Sequence, residues 1–475
     1  MKITVQSSKA VKPDYGGAPA PPATAVVPLT VFDLISFDDY MFGIHAFHPP
    51  SPPTGTLVAG LAMALAHYRE WAGRLVAADP ATGRRRGILL NDAGVRFLDA
   101  TADDGVTLES AMPLLRQPTP EVRRLHPSAP ATGGDDELML VQVTRFACGS
   151  VVVGHAMHHA VGDAFAISRF LVAWGQAVRG AAAIDPVPVH DRTSFFTPRH
   201  PPRVDFDHRG AEFVKPRQKK DDDARSNAGD GRGAVAGEEV VVQHVRFSRE
   251  FISELKSRAS SSSPGRTYST AQCLAAHLWR CVTKARGLAA GDETKTTLHL
   301  AVNGRARMRG LPEGYTGNAV LWAHPCTTAR ELLAAAPLGR AVELVRGAVA
   351  RVDDSYFRSF IDFASSGAVE EEGLVPALKD PEAAELGADV AVYCLLRVPF
   401  YDVDFGGGCG RQFFYTPGYY PAEGVVYILP PAPVVGDGSV EAHVSLFSRD
   451  VESFRGCCFS IDAGEPSAEE PRSSS

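Results

Sequence analysis

Residues 151–163 read Val151-Val-Val-Gly-His-Ala-Met-His-His-Ala-Val-Gly-Asp163, a β-branched run that passes into three histidines and stops on an aspartate. Side chains alternate along a strand, so a regular strand here puts His155, Met157 and His159 on one face and His158 on the other. Upstream, Glu137-Leu-Met-Leu-Val-Gln-Val-Thr-Arg-Phe146 is a second strand-like run, and Ala147-Cys-Gly joins the two as a β-hairpin that carries His159 at its end. Downstream, Ala164 to Arg179 has helical periodicity, with Phe165, Phe170, Leu171 and Trp174 as core contacts and Gly180 as the stop. The unit is strand, histidine, aspartate, helix. Its chemistry has three readings. His155 and His159 could share a metal with a third ligand, the histidines could be structural, or His159 could be a general base, because imidazole takes a proton near neutral pH.

The rest of the chain narrows the choice. It has 475 residues, enough for two domains, with 45% hydrophobic and 22% charged residues and a net charge of -7. That balance argues against nucleic acid, which needs a basic footprint, and against an anionic membrane surface. The N-terminal residues lack an apolar signal core and no run is long enough to span a bilayer, so the expectation is a cytoplasmic protein. Eight scattered cysteines without Cys-x-x-Cys spacing predict neither a disulfide framework nor a zinc site.

Working outward, Val26 to Asp33 reads as a strand, Tyr40 to Phe47 as an aromatic-rich segment, Thr56 to Trp71 as an amphipathic helix and Gly87 to Phe97 as strand, turn, strand. The stretch 206–239 is rich in charge and glycine and predicts a flexible linker between an N-terminal domain, 1–205, and a C-terminal domain, 240–475. In the second half, Ser269-Thr-Ala-Gln272 is a capping box that opens a helix to Arg286. Thr296 to Val302 and Ala319 to Ala323 read as strands, and about Ala329 to Phe363 as a long helical region. Leu395 to Gly410 is a strand that breaks into a glycine-dense turn. Gly424 to Pro430 and Ser439 to Phe447 pair as a hairpin. Both halves repeat a strand, helix, strand rhythm, which predicts an α/β fold of two related domains with mixed sheets flanked by helices.

Asp404-Phe-Gly is not a kinase magnesium motif, because no glycine-rich loop, Val-Ala-Ile-Lys strand or His-Arg-Asp loop precedes it. Gly406-Gly-Gly-Cys-Gly410 is not followed by a helix and makes no dinucleotide-binding turn. Taken in order, His159-Ala-Val-Gly-Asp163, Tyr315-Thr-Gly-Asn318 and Asp404-Phe-Gly-Gly-Gly408 resemble the motifs of the plant BAHD acyl-CoA-dependent acyltransferases. Tyr68-Arg-Glu-Trp-Ala-Gly-Arg-Leu75, Ala275-Ala-His-Leu-Trp-Arg280 and Asn303-Gly-Arg-Ala-Arg307 extend the resemblance over nearly the whole chain. Within that family the chain is most similar to grass amine N-acyltransferases, with which it shares Asp-Phe-Gly-Gly-Gly and the Met-Lys-Ile-Thr-Val start. Two residues depart from the family pattern: Gly407 stands where tryptophan is usual, opening space near the linker, and Thr316 where phenylalanine is usual.

The resemblance implies two chloramphenicol-acetyltransferase-like domains with an active-site channel at their interface. His159 would be the general base for attack of an acceptor on the thioester of an acyl-CoA co-substrate, with no cofactor, no metal and no acyl-enzyme. Asp163 and Asp404 enter as active-site residues by family habit, although both read better as struts, Asp163 pairing with Arg305 and Asp404 holding the turn of Gly406 and Gly408. Tyr40, Ser269, Thr270, Arg307 and Asn318 enter as substrate or CoA contacts, and Tyr40, Phe42 and Phe47 as aromatic residues near the channel. The implied reaction moves a hydroxycinnamoyl or benzoyl group to an amine, forming a phenolamide, in a monomer without nucleic-acid or membrane partners. A dicationic acceptor such as agmatine or putrescine should need a carboxylate at the far end of the channel. Val390 to Leu396 offers none, which tilts the expectation towards an arylalkylamine such as tryptamine or tyramine. Two other readings stand beside this one: an O-acyltransferase acting on shikimate, quinate or a fatty alcohol, and a silent binding protein that kept the fold.

Overall fold

The computed structural model describes residues 1–76, 87–117, 119–129, 137–216, 238–261, 265–288, 293–333, 338–379, 386–418, 421–432 and 436–461. Two mixed sheets carry it. The first has six strands in the order Ile3–Val11, Val95–Ala102, Met139–Arg145, Val151–His158, Tyr40–Phe47, Phe414–Pro417. The expected hairpin is present, with Met139 to Arg145 antiparallel to Val151 to Met157, and Tyr40–Phe47 pairs on the other side of the histidine strand. Every residue of Val151–His158 is buried, as expected for a central strand covered on both faces. Leu57, Leu61 and Leu65 of the helix Thr54–His67 and Phe170, Leu171 and Trp174 of the helix Ala164–Val178 pack with Val151, Val153 and Met157. Leu108, Ala111 and Leu115 pack with Ile44, Ala46 and Val152 on the opposite face.

The second sheet has seven strands. Six run in the order Val240–Phe247, Val440–Phe447, Val425–Leu429, Val390–Cys394, Lys295–Asn303, Val320–Ala323, and Cys326–Thr328 pairs separately with Lys295–Asn303. Lys295–Asn303 alternates strictly: Thr296, Leu298, Leu300 and Val302 are buried and the residues between them are not. The buried set rests on the helix Thr270–Ala285, whose Cys273 to Val282 are all buried. On the other face of this sheet Trp322, Tyr393 and Tyr427 form a row of rings, with centroids 5.2 and 5.0 Å apart.

The halves are not contiguous in sequence. Phe414–Pro417 leaves the C-terminal half to become the edge strand of the first sheet, pairing with Gly43 to Ala46. Most of the expected linker, 217–237, lies outside the described residues. Its first part is anchored: Phe206 and Phe213 pack on the second core, and buried His208 bonds Ser359 Oγ through Nε2 at 3.0 Å. The aromatic residues there outweigh the polar composition on which the linker reading rested.

Other expectations shift for local reasons. Val26 to Asp33 is a strand only over Val26–Pro28, because Thr30 and Asp33 form a capping box that opens the helix Val31–Ile35. The helix expected from Thr56 to Trp71 ends at His67 and is followed by a 3₁₀ turn, Arg69–Ala72. The long helical region is split into Ala329–Leu333, Leu338–Arg351 and Asp354–Ala364, the last opened by the Asp353 side chain as cap. A C-terminal helix, Val451–Cys457, closes the second core and had no clear sequence signal. Among the described residues, no helix is long and apolar enough to cross a membrane.

Candidate active site

His159 sits one residue past the histidine strand, in the turn that leads to Asp163. Its backbone is clamped from both sides. The N–H donates to Asp39 O at 2.9 Å and the carbonyl accepts from Asn318 Nδ2 at 2.8 Å. Asn318 comes from the second half of the chain, so the two halves together fix this residue. Its ring lies 6.0 Å from that of Phe37, and its Nδ1 is buried with no hydrogen-bond partner. Burial pushes the imidazole below its ordinary value near 6.5, against the opposing pull of the Asp163 and Asp33 carboxylates and the bond from Asn318. The result is a neutral imidazole at physiological pH, the form that accepts a proton.

Asp163 does not touch that ring. Its Oδ1 caps the helix Ala164–Val178 by accepting from Ala166 N at 3.0 Å, and its Oδ2 accepts from Arg305 Nη1 at 2.8 Å and Ala319 N at 3.0 Å. Burial alone would raise this carboxyl, but Arg305 and the two backbone donors hold it below the usual carboxylate range. Arg305 also donates to Tyr315 O at 3.1 Å and Gly317 O at 2.6 Å. The expected Asp163–Arg305 pair is therefore present as a strut between the halves.

A second buried strut had gone unread. Asp33 accepts from Arg192 Nη1 at 3.0 Å and from Asn318 Nδ2 at 2.8 Å, and Arg192 Nη2 donates to Val161 O at 2.5 Å. Both side chains of this ion pair are almost wholly buried. Thr30-Val-Phe-Asp33 was its sequence signal, a Thr and an acidic residue at capping-box spacing.

Asp404 stands apart. Its carboxylate accepts from Gly406 N at 2.8 Å, and its carbonyl accepts from Arg179. A Cβ on Gly175 would fall 2.5 Å from Asp404 O, so only glycine lets the turn dock against the helix there. Twelve residues separate Gly175 from Asp163, about 18 Å of helix. Asp404 thus belongs to the far end of the helix, not to the neighbourhood of His159. Gly406, Gly407 and Gly408 all take positive φ, which explains the glycine run. A Cβ at Gly407 would meet only Pro52 within 4 Å. We expect Asp404→Asn to lower apparent Tm slightly, the equivalent of about 1 kcal/mol or less, because the amide oxygen can still accept from Gly406 N while the carboxylate's ion pair with Arg179 at 3.7 Å is lost, with kcat/KM nearly unchanged. Loss of turnover at unchanged Tm would contradict this placement.

The remaining candidates are scattered. Ser269 is committed to capping, accepting from Gln272 N, and Thr270 is the first helical residue after it. Arg307 Nη1 reaches Val349 O at 3.4 Å. Tyr40 donates its hydroxyl to Glu137 O at 2.7 Å and stands edge-on to His158. Phe47, expected near the channel, is fully buried against Phe405, because strand alternation turns it into the first core, and Phe42 packs on His126. Thr316 bonds Val189 O at 3.2 Å and His190 Nδ1 at 3.3 Å, contacts that a phenylalanine could not make. Among the described residues, no group of three or more His, Cys, Asp or Glu is arranged to hold a metal ion.

Beside His159 lies a cavity of about 240 Å³, lined by Asp33, Leu34, Phe37, Asp38, Ala160 and Glu370 among others. Asp38 is more than half exposed and lies 3.6 Å from His158 Nε2. Phe400, Tyr415 and Leu429 form a separate apolar cluster to which Ala164, Leu395, Tyr401 and Tyr427 add.

Residues 1–457 match the sequence model described as the Transferase family. The chain is 56% identical over 462 residues to agmatine hydroxycinnamoyltransferase 1 of Oryza sativa subsp. japonica, covering 97% of this chain and 99% of the relative. It is also 56% identical to agmatine coumaroyltransferase-1 of Hordeum vulgare, over 97% of this chain and all of that protein. Tryptamine hydroxycinnamoyltransferase 2 of Oryza sativa subsp. japonica is 37% identical over 91% of this chain and 93% of its own length. Among solved structures, vinorine synthase superposes with a TM-score of 0.68 at 20% identity, over 95% of this chain and 96% of that one. TRI101 of F. graminearum, complexed with coenzyme A and T-2 mycotoxin, superposes with a TM-score of 0.73 at 18% identity, over 91% of this chain and 97% of that one. These two likenesses concern the fold.

Proposed function

The chain belongs to the Transferase family, the BAHD-type acyltransferases, and on that footing we propose that it transfers a hydroxycinnamoyl group from a CoA thioester to the primary amine of a guanidinium- or ammonium-bearing acceptor such as agmatine. The observation that carries the reading is His159, a neutral imidazole held by backbone bonds from both halves, whose neighbour Ala160 lines a cavity that also holds carboxylates.

In this reaction the amine nitrogen attacks the thioester carbonyl, His159 takes the proton that the nitrogen loses as the C–N bond forms, and the same proton passes to sulfur as the C–S bond breaks, so that CoA leaves as the thiol and the imidazole is neutral again. A thioester needs no further activation, so the enzyme's share is positioning and proton removal. The acceptor's far end carries a cation that must not be buried unpaired. Asp38 and Glu370, on the cavity wall, supply the carboxylates that Val390 to Leu396 lacks, and the agmatine-named relatives point the same way. This moves the reading from an arylalkylamine to a cationic acceptor.

The test is thiol release from p-coumaroyl-CoA with agmatine, putrescine, tyramine, tryptamine and shikimate in parallel. Agmatine should give the highest kcat/KM. Asp38→Asn and Glu370→Gln should each raise KM for agmatine by roughly 5- to 10-fold, the worth of about 1 kcal/mol for a partly exposed ion pair, and leave KM for tryptamine unchanged. Preference for tryptamine, or for the alcohol, would replace this acceptor assignment.

A further inference from the structure

We infer that His45 and Gln412 form a socket for the ring hydroxyl of the transferred aromatic acyl group, so that the enzyme selects hydroxylated over plain cinnamoyl donors. This rests on the reaction proposed above. The two residues come from different halves and meet at His45 Nδ1 and Gln412 Oε1, 2.5 Å apart. Each is 1% exposed, and each keeps a polar atom without a partner: His45 Nε2 and Gln412 Nε2. His155, 3% exposed, adds an unpartnered Nδ1, its ring 5.2 Å from that of His45. A buried polar atom left unpaired is costly, so three in one place mark a site that a polar group completes.

The chemistry of that group follows from the pairing. If His45 Nδ1 donates to the Gln412 oxygen, His45 Nε2 is left with a lone pair and the Gln412 amide with two N–H donors. If the amide is turned the other way, the roles exchange. Both arrangements leave one donor and one acceptor, the complement of a hydroxyl, which does both at once. Burial lowers His45 to about 4, against the raising bond from Gln412, and drives His155 well below 6.5, with the neighbouring His45 and His126 rings adding to the effect. A neutral socket suits a neutral hydroxyl and gives a cationic amine no carboxylate.

Position fits the donor side of the reaction. His155 lies within the strand and His159 one residue past its end, four residues on, at most about 13 Å along the chain. That span suits a hydroxycinnamoyl group whose carbonyl carbon is attacked beside His159. An aromatic cluster joins the two regions: Phe400 stacks on Tyr415 at 4.0 Å, Tyr415 lies 5.0 Å from His45, and Ala164, the residue after Asp163, packs on the cluster. Gly43 completes the fit, because a Cβ there would fall 2.4 Å from His155 Cε1.

The experiment compares p-coumaroyl-CoA, cinnamoyl-CoA and 4-methoxycinnamoyl-CoA with agmatine, first on the unaltered enzyme. p-Coumaroyl-CoA should exceed both others by about 10- to 100-fold in kcat/KM, since neither can donate to the socket. Gln412→Leu and His45→Phe should bring the p-coumaroyl to cinnamoyl ratio to within about threefold. The ratio compares two donors on one preparation, so partial misfolding of a variant does not move it. Equal use of the three donors by the unaltered enzyme would overturn the inference, as would an unchanged ratio in both variants. Failure to transfer from any donor would instead overturn the reaction itself.

Discussion

Replacing His159 by alanine is expected to lower turnover by roughly 10²- to 10⁴-fold, the usual worth of a positioned general base. The substitution is unusually clean here. The bonds that hold residue 159, from its N–H to Asp39 O and from Asn318 Nδ2 to its carbonyl, belong to the backbone and survive the loss of the ring. His159→Ala should therefore keep the wild-type Tm, and its loss should appear in kcat with little change in KM for either substrate. Near-normal turnover would remove His159 from the mechanism, and a large fall in Tm would mean that the ring carries stability that these contacts do not account for.

The pH dependence tests the same assignment independently. Burial lowers the His159 pKa, with Asp163, Asn318 and Asp33 partly offsetting it, so the protonated, inactive form should accumulate only below the ordinary histidine range. The acid limb of kcat at saturating amine should have its midpoint below about 6.5, with activity rising through it as the ring deprotonates. That limb should disappear in His159→Ala. A limb centred well above this value would mean that another group supplies the base, and the Glu70-paired His190 would be the first to examine. Burial works against protonation of His190 too, but the Glu70 carboxylate prevails and its pKa is raised.

The sequence made the site's chemistry legible and much of its support illegible, for physical reasons. His159 and Asp163 are four residues apart on a strand-to-helix turn, so local periodicity was enough to place them, and the Asp163–Arg305 strut followed from the family motif. Asp33, Arg192 and Asn318 converge from three distant segments: the family motif pointed to Asn318, though as a substrate contact, the capping-box spacing at Thr30 hinted at Asp33, and nothing marked Arg192. Exchange of Phe414–Pro417 into the first sheet is likewise a matter of tertiary pairing: four residues of strand carry no record of which sheet they join. Phe47 shows the complementary error, since one step of strand alternation decides between core and channel. The carboxylates proposed above for the acceptor were not legible either, because Asp38 and Glu370 become neighbours of one cavity only when the halves dock.

The Asp163–Arg305 pair separates a strut from a proton relay by magnitude. Both side chains are about 95% buried, so removing one partner strands a charge in low dielectric. Arg305→Met should destabilise the enzyme by about 3–5 kcal/mol, seen as a large fall in apparent Tm. Asp163→Asn should cost less. Its amide oxygen can still accept from Ala166 N or Ala319 N, while Arg305 keeps the Tyr315 and Gly317 carbonyls. The double variant should be less destabilised than the sum of the two, because each single change removes what the other depended on. Because the Asp163 pKa is lowered in the folded state, the stabilisation by this carboxylate is complete above its unfolded value near 3.9 and is lost as pH falls through the folded one. The Tm gap between wild type and Asp163→Asn should therefore be constant at neutral pH and close only in strong acid. Catalysis gives the decisive comparison. A carboxylate that orients and charges its base through direct contact costs about 10⁴-fold in kcat when changed to the amide. Asp163 makes no bond to the His159 ring, so Asp163→Asn, assayed well below its Tm, should lose about 10-fold or less and keep the wild-type acid limb. A 10⁴-fold loss in a fully folded Asp163→Asn would restore the aspartate to the proton path.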